Sequence, residues 1–177
     1  MRRSELEHLI RAAGRIAGEH ELVIIGSQSV LGQFPDAPIA LLMSMEVDLY
    51  PLEHPELADK VDVAIGEGSP FHQTFGYYAQ GVGPETAVLP ARWRRRLVRV
   101  ENANTGGHAG LCLEVHDLAI SKYVAGREKD RKFTRELARH GMTDKATLLK
   151  RLGVTKLDAA LASAVLGRIE RDFPKAE

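Results

Sequence analysis

Two β-type runs near the N-terminus constrain the fold most. Residues 22–25 (LVII) form an apolar run that stops at Gly26-Ser27, and residues 45–50 (MEVDLY) carry the carboxylates Glu46 and Asp48. A short apolar run without polar alternation is typical of a strand buried on both faces. A glycine directly after such a strand lets the backbone turn tightly. The sequence therefore predicts two strands whose ends lie close together, supported by the rest of the chain.

The composition is that of one ordinary globular domain with room for a helical appendage. The chain has 177 residues, of which 44% are hydrophobic and 27% charged, and it has one cysteine, Cys112. No apolar run approaches the roughly 20 residues that cross a bilayer, and the N-terminus has an amphipathic pattern, unlike a secretory signal. We therefore expect a cytoplasmic protein without a membrane partner. Because 24 basic residues balance 24 acidic ones, the net charge does not bear on a nucleic-acid partner.

Helical periodicity is clear at both ends of the chain. The first helix is predicted over residues 4–18, with Ser4 as N-cap and Glu7 as its capping-box partner. After it come a short helix or turn at 27–33, a helix at 55–65, and β-type segments at 75–82, 96–101 and 111–115. Beyond residue 116 the pattern is helical throughout, at 117–126, 129–140, 144–152 and 157–173.

This order predicts an α+β, or mixed α/β, fold. We expect an N-terminal helix and a core sheet within residues 1–115, followed by a helical C-terminal region, residues 116–177, packed on that core.

Gly26-Ser27 is a candidate phosphate site. Backbone N–H groups at the start of a helix face whatever lies above the preceding strand, and Ser27 and Ser29 add hydroxyl groups. The same residues are also typical of a plain turn with a helix cap.

Glu46 and Asp48 are a candidate metal site. Residues two apart on a strand point to the same face, with about 7 Å between their Cα atoms. Two carboxylates at this spacing repel each other unless a cation neutralises them, and hard oxygen ligands suit Mg²⁺ or Mn²⁺ bound together with phosphates. The alternative is the solvated face of an edge strand, although the intervening Val47 and the following Leu49 are apolar.

The stretches IGSQSVLGQFPDAP (25–38), MEVDLYP (45–51) and HDLAISKYVAGREKD (116–130) together resemble an uncharacterised bacterial nucleotidyltransferase-like family. They resemble more distantly the minimal nucleotidyltransferases of abortive-infection and toxin–antitoxin systems. The resemblance implies a nucleotidyltransferase-like core that binds a nucleoside triphosphate with Mg²⁺ (or Mn²⁺) at Glu46 and Asp48. It further implies transfer of a nucleotidyl group to a hydroxyl acceptor in RNA, protein or a small molecule.

The same resemblance places Lys122 at the triphosphate and Asp130 near the nucleotide, so that Glu46, Asp48 and Lys122 would be the catalytic residues. The alternative for this region is a charged, solvated helix with Asp117 as its N-cap and ion pairs among residues 127–130.

Two differences between this sequence and the superfamily pattern favour a second hypothesis for the function. The superfamily's metal pair is usually Asp-x-Asp, whereas Glu46 is one methylene longer, and the nearest candidate for a third carboxylate is Glu85, in a loop. The alternative function is a catalytically degenerate binding or regulatory module, for example one half of a toxin–antitoxin or defence pair with a cognate regulator protein.

Arginines at 92, 94, 95, 96 and 99 surround Trp93. Such a cluster is typical of a surface that binds an RNA backbone and stacks a base, but a turn with Trp93 folded onto the core fits the same pattern. The histidines show no metal-ligand spacing, and we expect them to be structural or surface residues.

Overall fold

The computed structural model describes residues 1–174. Within them the chain forms two compact units. The first, here called the sheet unit, comprises residues 1–86 and 96–114. The second, the helical unit, comprises residues 87–95 and those from 115 onward. No helix among the described residues is long and apolar enough to cross a membrane.

The fold is mixed α+β, as predicted. The helices of the described chain are α1 (Arg3–Ala17), α2 (Val30–Gln33), α3 (Ala58–Ile65), α4 (Pro70–Phe75), α5 (Val115–Ala125), α6 (Glu128–Arg139), α7 (Lys145–Leu152) and α8 (Ala159–Asp172). The strands are β1 (Glu21–Ile24), β2 (Glu46–Pro51), β3 (Tyr78–Gly81), β4 (Val98–Val100) and β5 (Ala109–Cys112). Six short 3-10 turns join these elements.

One five-stranded sheet forms the centre of the sheet unit, in the order β3-β2-β1-β5-β4. β1 is the middle strand and runs antiparallel to β2 and parallel to β5. β3 is parallel to β2, and β4 is antiparallel to β5. Every residue of β1 beyond Glu21 is fully buried, as the unbroken apolar run predicts.

The two faces of the sheet differ sharply. Helices cover one face: Ile10 of α1 lies over Gly110, Gly32 of α2 lies over Cys112, and Ala58 of α3 lies over Gly81. Apolar side chains on this face are at most 1% exposed, among them Leu22, Ile24, Val47, Leu49 and Ala79. Because side chains alternate along a strand, Glu46 and Asp48 point to the opposite face, together with their register partners Tyr78 and Gln80 on β3.

The predicted cap of α1 is wrong. The helix begins at Arg3, and Glu5 Oε2 accepts from the backbone N–H of the N-cap residue Arg2 at 2.7 Å. Ser4 therefore lies inside the helix. Glu7 is buried and accepts side-chain hydrogen bonds from Asn102 at 2.8 Å, Asn104 at 2.9 Å and Arg3 at 3.0 Å. Ser4 and Glu7 have the residue types and spacing of a capping box, but the Glu7 carboxylate is used by Asn102, Asn104 and Arg3 and is not available for capping.

Several predicted boundaries also shift. The β-type segment at 75–82 contains the end of α4, which stops at Phe75 before the left-handed Gly76 (φ 77°), so β3 starts only at Tyr78. The 3-10 turn Trp93–Arg96 shortens the next strand to Val98–Val100. β5 begins at Ala109 and ends at Cys112, earlier than predicted.

In the helical unit, Asp144 and Asp158 cap α7 and α8 by accepting from the N–H groups of Thr147 and Leu161, both at 2.8 Å. Asp117 is not an N-cap, because α5 already begins at Val115. Its side chain is fully buried, and Arg151 Nε lies 3.1 Å from its Oδ1.

Candidate functional site

The acidic face of β2 is anchored to the end of β1. The Ile25 N–H donates to the Asp48 carbonyl at 3.0 Å, which brings Gly26 beside Asp48. A Cβ atom on residue 26 would lie 2.8 Å from Asp48 Cγ and 3.1 Å from its Cβ, closer than such atoms pack. Gly26 has an ordinary φ of −78°, so the backbone conformation does not require glycine. Glycine is required here because the Asp48 carboxylate occupies the space of a side chain.

The turn after Gly26 is tighter than predicted. Ser27–Ser29 form a 3-10 turn, and α2 adds only four residues, so a helix dipole contributes little here. Ser29 is fully buried, and both its N–H, at 3.0 Å, and its hydroxyl, at 2.8 Å, donate to the Gly26 carbonyl. Ser29 thus holds the turn together, whereas Ser27 is half-buried.

Gln28 lies in the same turn and was not recognised from the sequence. Its side chain is fully buried, yet neither its amide nitrogen nor its amide oxygen has a hydrogen-bond partner among the described residues. Burying an unpaired amide is costly. A glutamine between two serines gives no sequence signal of this burial.

Glu46 is held by a tyrosine from the neighbouring strand. Tyr78, its register partner on β3, donates its hydroxyl to Glu46 Oε2 at 3.1 Å. This hydrogen bond holds one carboxylate oxygen of Glu46 beside β3. The sequence placed Tyr78 in a β-type segment, but its role depends on the register between β2 and β3, which no local pattern reveals.

The pKa of Tyr78 reflects its burial and the negative charges around it. Burial raises its pKa most, and the hydrogen bond to Glu46 and the negative charges of Glu46, Glu67 and Asp48 raise it further, to about 12. Tyr78 therefore remains protonated at neutral pH and acts as a donor. The same carboxylates create a negative field that a bound cation would neutralise.

Among the described residues, no third carboxylate completes a metal-binding group with this pair. Among residues 1–174, no group of three or more histidine, cysteine, aspartate or glutamate side chains is arranged to hold a metal ion. Glu85 lies in the 3-10 turn Pro84–Thr86, is exposed, and has its carboxylate folded against Gly83. Mg²⁺ in proteins is usually held by one or two carboxylates together with substrate phosphates. Glu46 and Asp48 fit that ligand set.

Lys122 and Asp130 lie together in the helical unit. Asp130 is 2% exposed and accepts from the Arg127 N–H at 3.2 Å and its Nε at 2.6 Å, which closes the N-terminal cap of α6. Lys122 Nζ lies 3.7 Å from Asp130 Oδ1, and its side chain is 14% exposed. Both side chains are thus more buried than a solvated helix would leave them, whereas the ion pair between Arg127 and Asp130, which that alternative also predicted, is present. Their role in nucleotide binding stays a prediction.

The arginine cluster around Trp93 is largely exposed. Arg94 stacks its guanidinium 5.4 Å from the centre of the half-buried Trp93 ring. Arg99 instead forms ion pairs with Glu21 and, at 2.7 Å, with Glu101. RNA binding by this cluster stays a prediction.

Comparison with known proteins identifies the family of the chain. Residues 4–164 match the model of a family described as nucleotidyltransferases of unknown function (DUF6036). Searches of curated proteins and of solved structures gave no match. Since the match spans nearly the whole chain and includes both strand ends, the protein belongs to this DUF6036 nucleotidyltransferase family.

Proposed function

We propose that this protein binds a nucleoside triphosphate together with Mg²⁺ or Mn²⁺ and transfers a nucleotidyl group to a hydroxyl acceptor. The observation that carries the proposal is the seating of the Asp48 carboxylate against Gly26, with Glu46 on the same strand face. Family membership supports the reaction class. The acceptor class, whether RNA, protein or a small molecule, is left to experiment.

Glu46 and Asp48 would hold the metal through carboxylate oxygens. When bound, the ion would supply Lewis-acid polarisation of the triphosphate and neutralise its charge. Tyr78 orients Glu46 by donating its hydroxyl to Oε2 of the carboxylate. The β1–β2 pairing and the space above Gly26 position Asp48.

Gly26 and Ser27 would bind phosphate oxygens through backbone N–H groups and the Ser27 hydroxyl. In the reaction, the acceptor oxygen forms a bond to the α-phosphorus as the bond to pyrophosphate breaks, and the acceptor proton passes to water. The protein contributes by holding the reactants in line and by placing charge where it develops.

The test compares wild type with Asp48→Asn, which removes the charge and keeps the shape. Titration with each of the four nucleoside triphosphates, with and without Mg²⁺ or Mn²⁺, should give metal-dependent binding in wild type and at least about a tenfold loss in Asp48→Asn, since one charged ligand contact is worth roughly 1.5–3 kcal/mol. Asp36→Asn is the matched control, because Asp36 is an exposed aspartate of the same unit. Equal binding by wild type and Asp48→Asn would refute the metal site.

A second experiment identifies the acceptor. Wild-type protein is incubated with labelled nucleoside triphosphates and total cell extract, and the label is followed into RNA, protein and small-molecule fractions. Transfer by wild type that is absent in Asp48→Asn would establish the reaction and the acceptor class together.

A non-catalytic binding or regulatory module is the second candidate. It is favoured by the lack of a third carboxylate among the described residues. It predicts metal-dependent nucleotide binding without label transfer to any fraction, together with copurification of a regulator protein that wild type and Asp48→Asn both retain.

A further inference from the structure

The helical unit carries a small cleft between α6 and α8 that is rich in arginine. Four guanidinium groups and one carboxylate line it, from Arg131, Arg135, Arg168, Arg171 and Asp172. The chain as a whole is electrically balanced, so this is a local excess of positive charge.

The carboxylate at the floor of the cleft already has hydrogen-bond donors within the protein. The Asp172 carboxylate accepts from the hydroxyl groups of Tyr123 and Thr134, both at 2.9 Å, and Arg135 Nε lies 4.0 Å from its other oxygen. Because its side chain is only 8% exposed, this negative charge closes the cleft from below. A compact anion that entered deeply would meet this carboxylate.

Arg168 has a structural role. Its Nη1 donates to the carbonyl oxygens of Tyr123 and Val124 at the end of α5. A side chain on Gly126, which has a φ of 63°, would collide with this guanidinium group. Arg168 therefore satisfies the last carbonyls of α5 and is set apart from the other three arginines.

The other three arginines are exposed at the rim of the cleft. Arg171 uses its Nε to donate to the Gly167 carbonyl at 3.1 Å, and Arg135 approaches Asp172 through its Nε alone. Among residues 1–174, Arg131 forms no ion pair within 4.0 Å, although its charge contributes to the lowered pKa of the exposed Glu128, three residues earlier. Each guanidinium has five N–H donors, so most donors at the rim face solvent.

We infer that Arg131, Arg135 and Arg171 bind the phosphate backbone of a nucleic acid. Exposed guanidinium groups on two neighbouring helices suit successive phosphates that pass over the rim, whereas the carboxylate floor disfavours a small free anion. Tyr123, the aromatic residue of the cleft, is 2% exposed and uses its hydroxyl on Asp172, so no ring is offered to a base. Because contacts to phosphates carry no sequence information, we expect this binding to be independent of base sequence.

This surface goes beyond the proposed function, because it involves neither Glu46 nor Asp48. The experiment measures fluorescence anisotropy of labelled, mixed-sequence single-stranded RNA and DNA over a series of salt concentrations, without metal or nucleotide. Absence of RNA and DNA binding in this experiment would not contradict the nucleotide-binding proposal.

The variant Arg131→Gln/Arg171→Gln is compared with Lys132→Gln/Arg139→Gln. The control loses the same charge from exposed positions on α6 that do not line the cleft. The cleft variant should bind at least about tenfold more weakly at low salt, and the slope of log K against log salt should become shallower by about 0.7 for each lost phosphate contact. The control should remain within about twofold of wild type. Arg135→Gln, a further rim variant, should also weaken binding.

Three results would overturn the inference. They are absence of nucleic-acid binding in wild type, equal weakening by the cleft and control pairs, and full competition by inorganic phosphate at equal phosphate concentration. Matching thermal unfolding curves of the two double variants would exclude loss of fold as the cause of a difference.

Discussion

The Asp48 carboxylate fills the space that a side chain on residue 26 would need. Gly26→Ala should therefore lower the free energy of unfolding by about 1–3 kcal/mol, the usual cost of overpacking, and displace the carboxylate. Adding Asp48→Ala removes the colliding group, so the double variant should be more stable than the sum of the two single changes predicts. Urea unfolding of all four proteins measures this coupling. Strict additivity would show that the two residues do not compete for space.

Ionisation of Tyr78 should lower the stability of the protein at alkaline pH. Its pKa is raised by burial, and then by the hydrogen bond and charge of Glu46, from 10.0 to about 12. The folded chain thus holds this proton more tightly than the unfolded chain. The contribution of this tighter proton binding to the free energy of unfolding is complete below about pH 10 and is lost as the pH rises through about 12. Unfolding free energies of wild type and Tyr78→Phe, measured across this range, should converge as the pH rises.

Tyr123 and Cys112 also have raised pKa values because of burial, but both remain in Tyr78→Phe, so the comparison isolates Tyr78. Parallel curves for the two proteins would contradict the assignment. Ultraviolet difference titration of wild type and Tyr78→Phe measures the ionisation of Tyr78 directly.

Glu7 should be needed for stability at neutral pH. Burial opposes its ionisation, but hydrogen bonds from Asn104, Asn102 and Arg3 outweigh burial and hold its pKa below the ordinary 4.5. Its stabilising effect is therefore present above about pH 4.5 and is lost as the pH falls further. Glu7→Ala should lower the free energy of unfolding by about 1–3 kcal/mol at pH 7 through the unpaired amides.

Exposed Glu53 provides the control for Glu7, since Glu53→Ala removes a carboxylate of the same unit without these partners. Similar losses of stability in the two variants would show that the hydrogen bonds of Glu7 contribute little.

Arg151 should stabilise the helical unit through Asp117. The Asp117 carboxylate is fully buried, 3.1 Å from Arg151 Nε, whereas the Arg151 side chain is 24% exposed. Arg151→Met leaves a buried carboxylate without this partner and should cost about 3 kcal/mol, the lower end for a broken buried pair. Arg139→Met, at an exposed position on α6, should change stability by less than about 0.5 kcal/mol. Chemical denaturation followed by circular dichroism measures both.

Gln28 should be replaceable by an apolar residue of similar length. Its buried amide has no hydrogen-bond partner among the described residues, so Gln28→Met should raise the free energy of unfolding by about 1 kcal/mol. Thermal unfolding measures the change. A clear loss of stability would mean that the amide is hydrogen-bonded in solution, for example to water.

Features set by local sequence pattern could be predicted, whereas features set by contacts between distant residues could not. The ends of β1 and β2 follow from an apolar run, a glycine and alternating carboxylates, all local features. The position of Tyr78 opposite Glu46 depends on β2–β3 register across about thirty intervening residues and could not be read from either strand alone. The burial of Asp117 was missed for the same reason, because its partner Arg151 lies on another helix. The cap of α1 was misassigned because Glu7, which has the spacing of a capping-box partner for Ser4, binds Asn102 and Asn104 in a distant loop instead.

The interleaving of the two units bears on the order in which the chain can fold during synthesis. Residues 87–95 belong to the helical unit, and the Ala91 N–H donates to the Val154 carbonyl at 2.9 Å. This segment leaves the ribosome about sixty residues before its partner and before β4 and β5 complete the sheet. A chain that ends at residue 114 contains every strand but leaves residues 87–95 without the helices they pack with. A single cut on either side of this segment therefore leaves part of one unit attached to the other. Producing one unit without exposed surface of the other requires more than one cut.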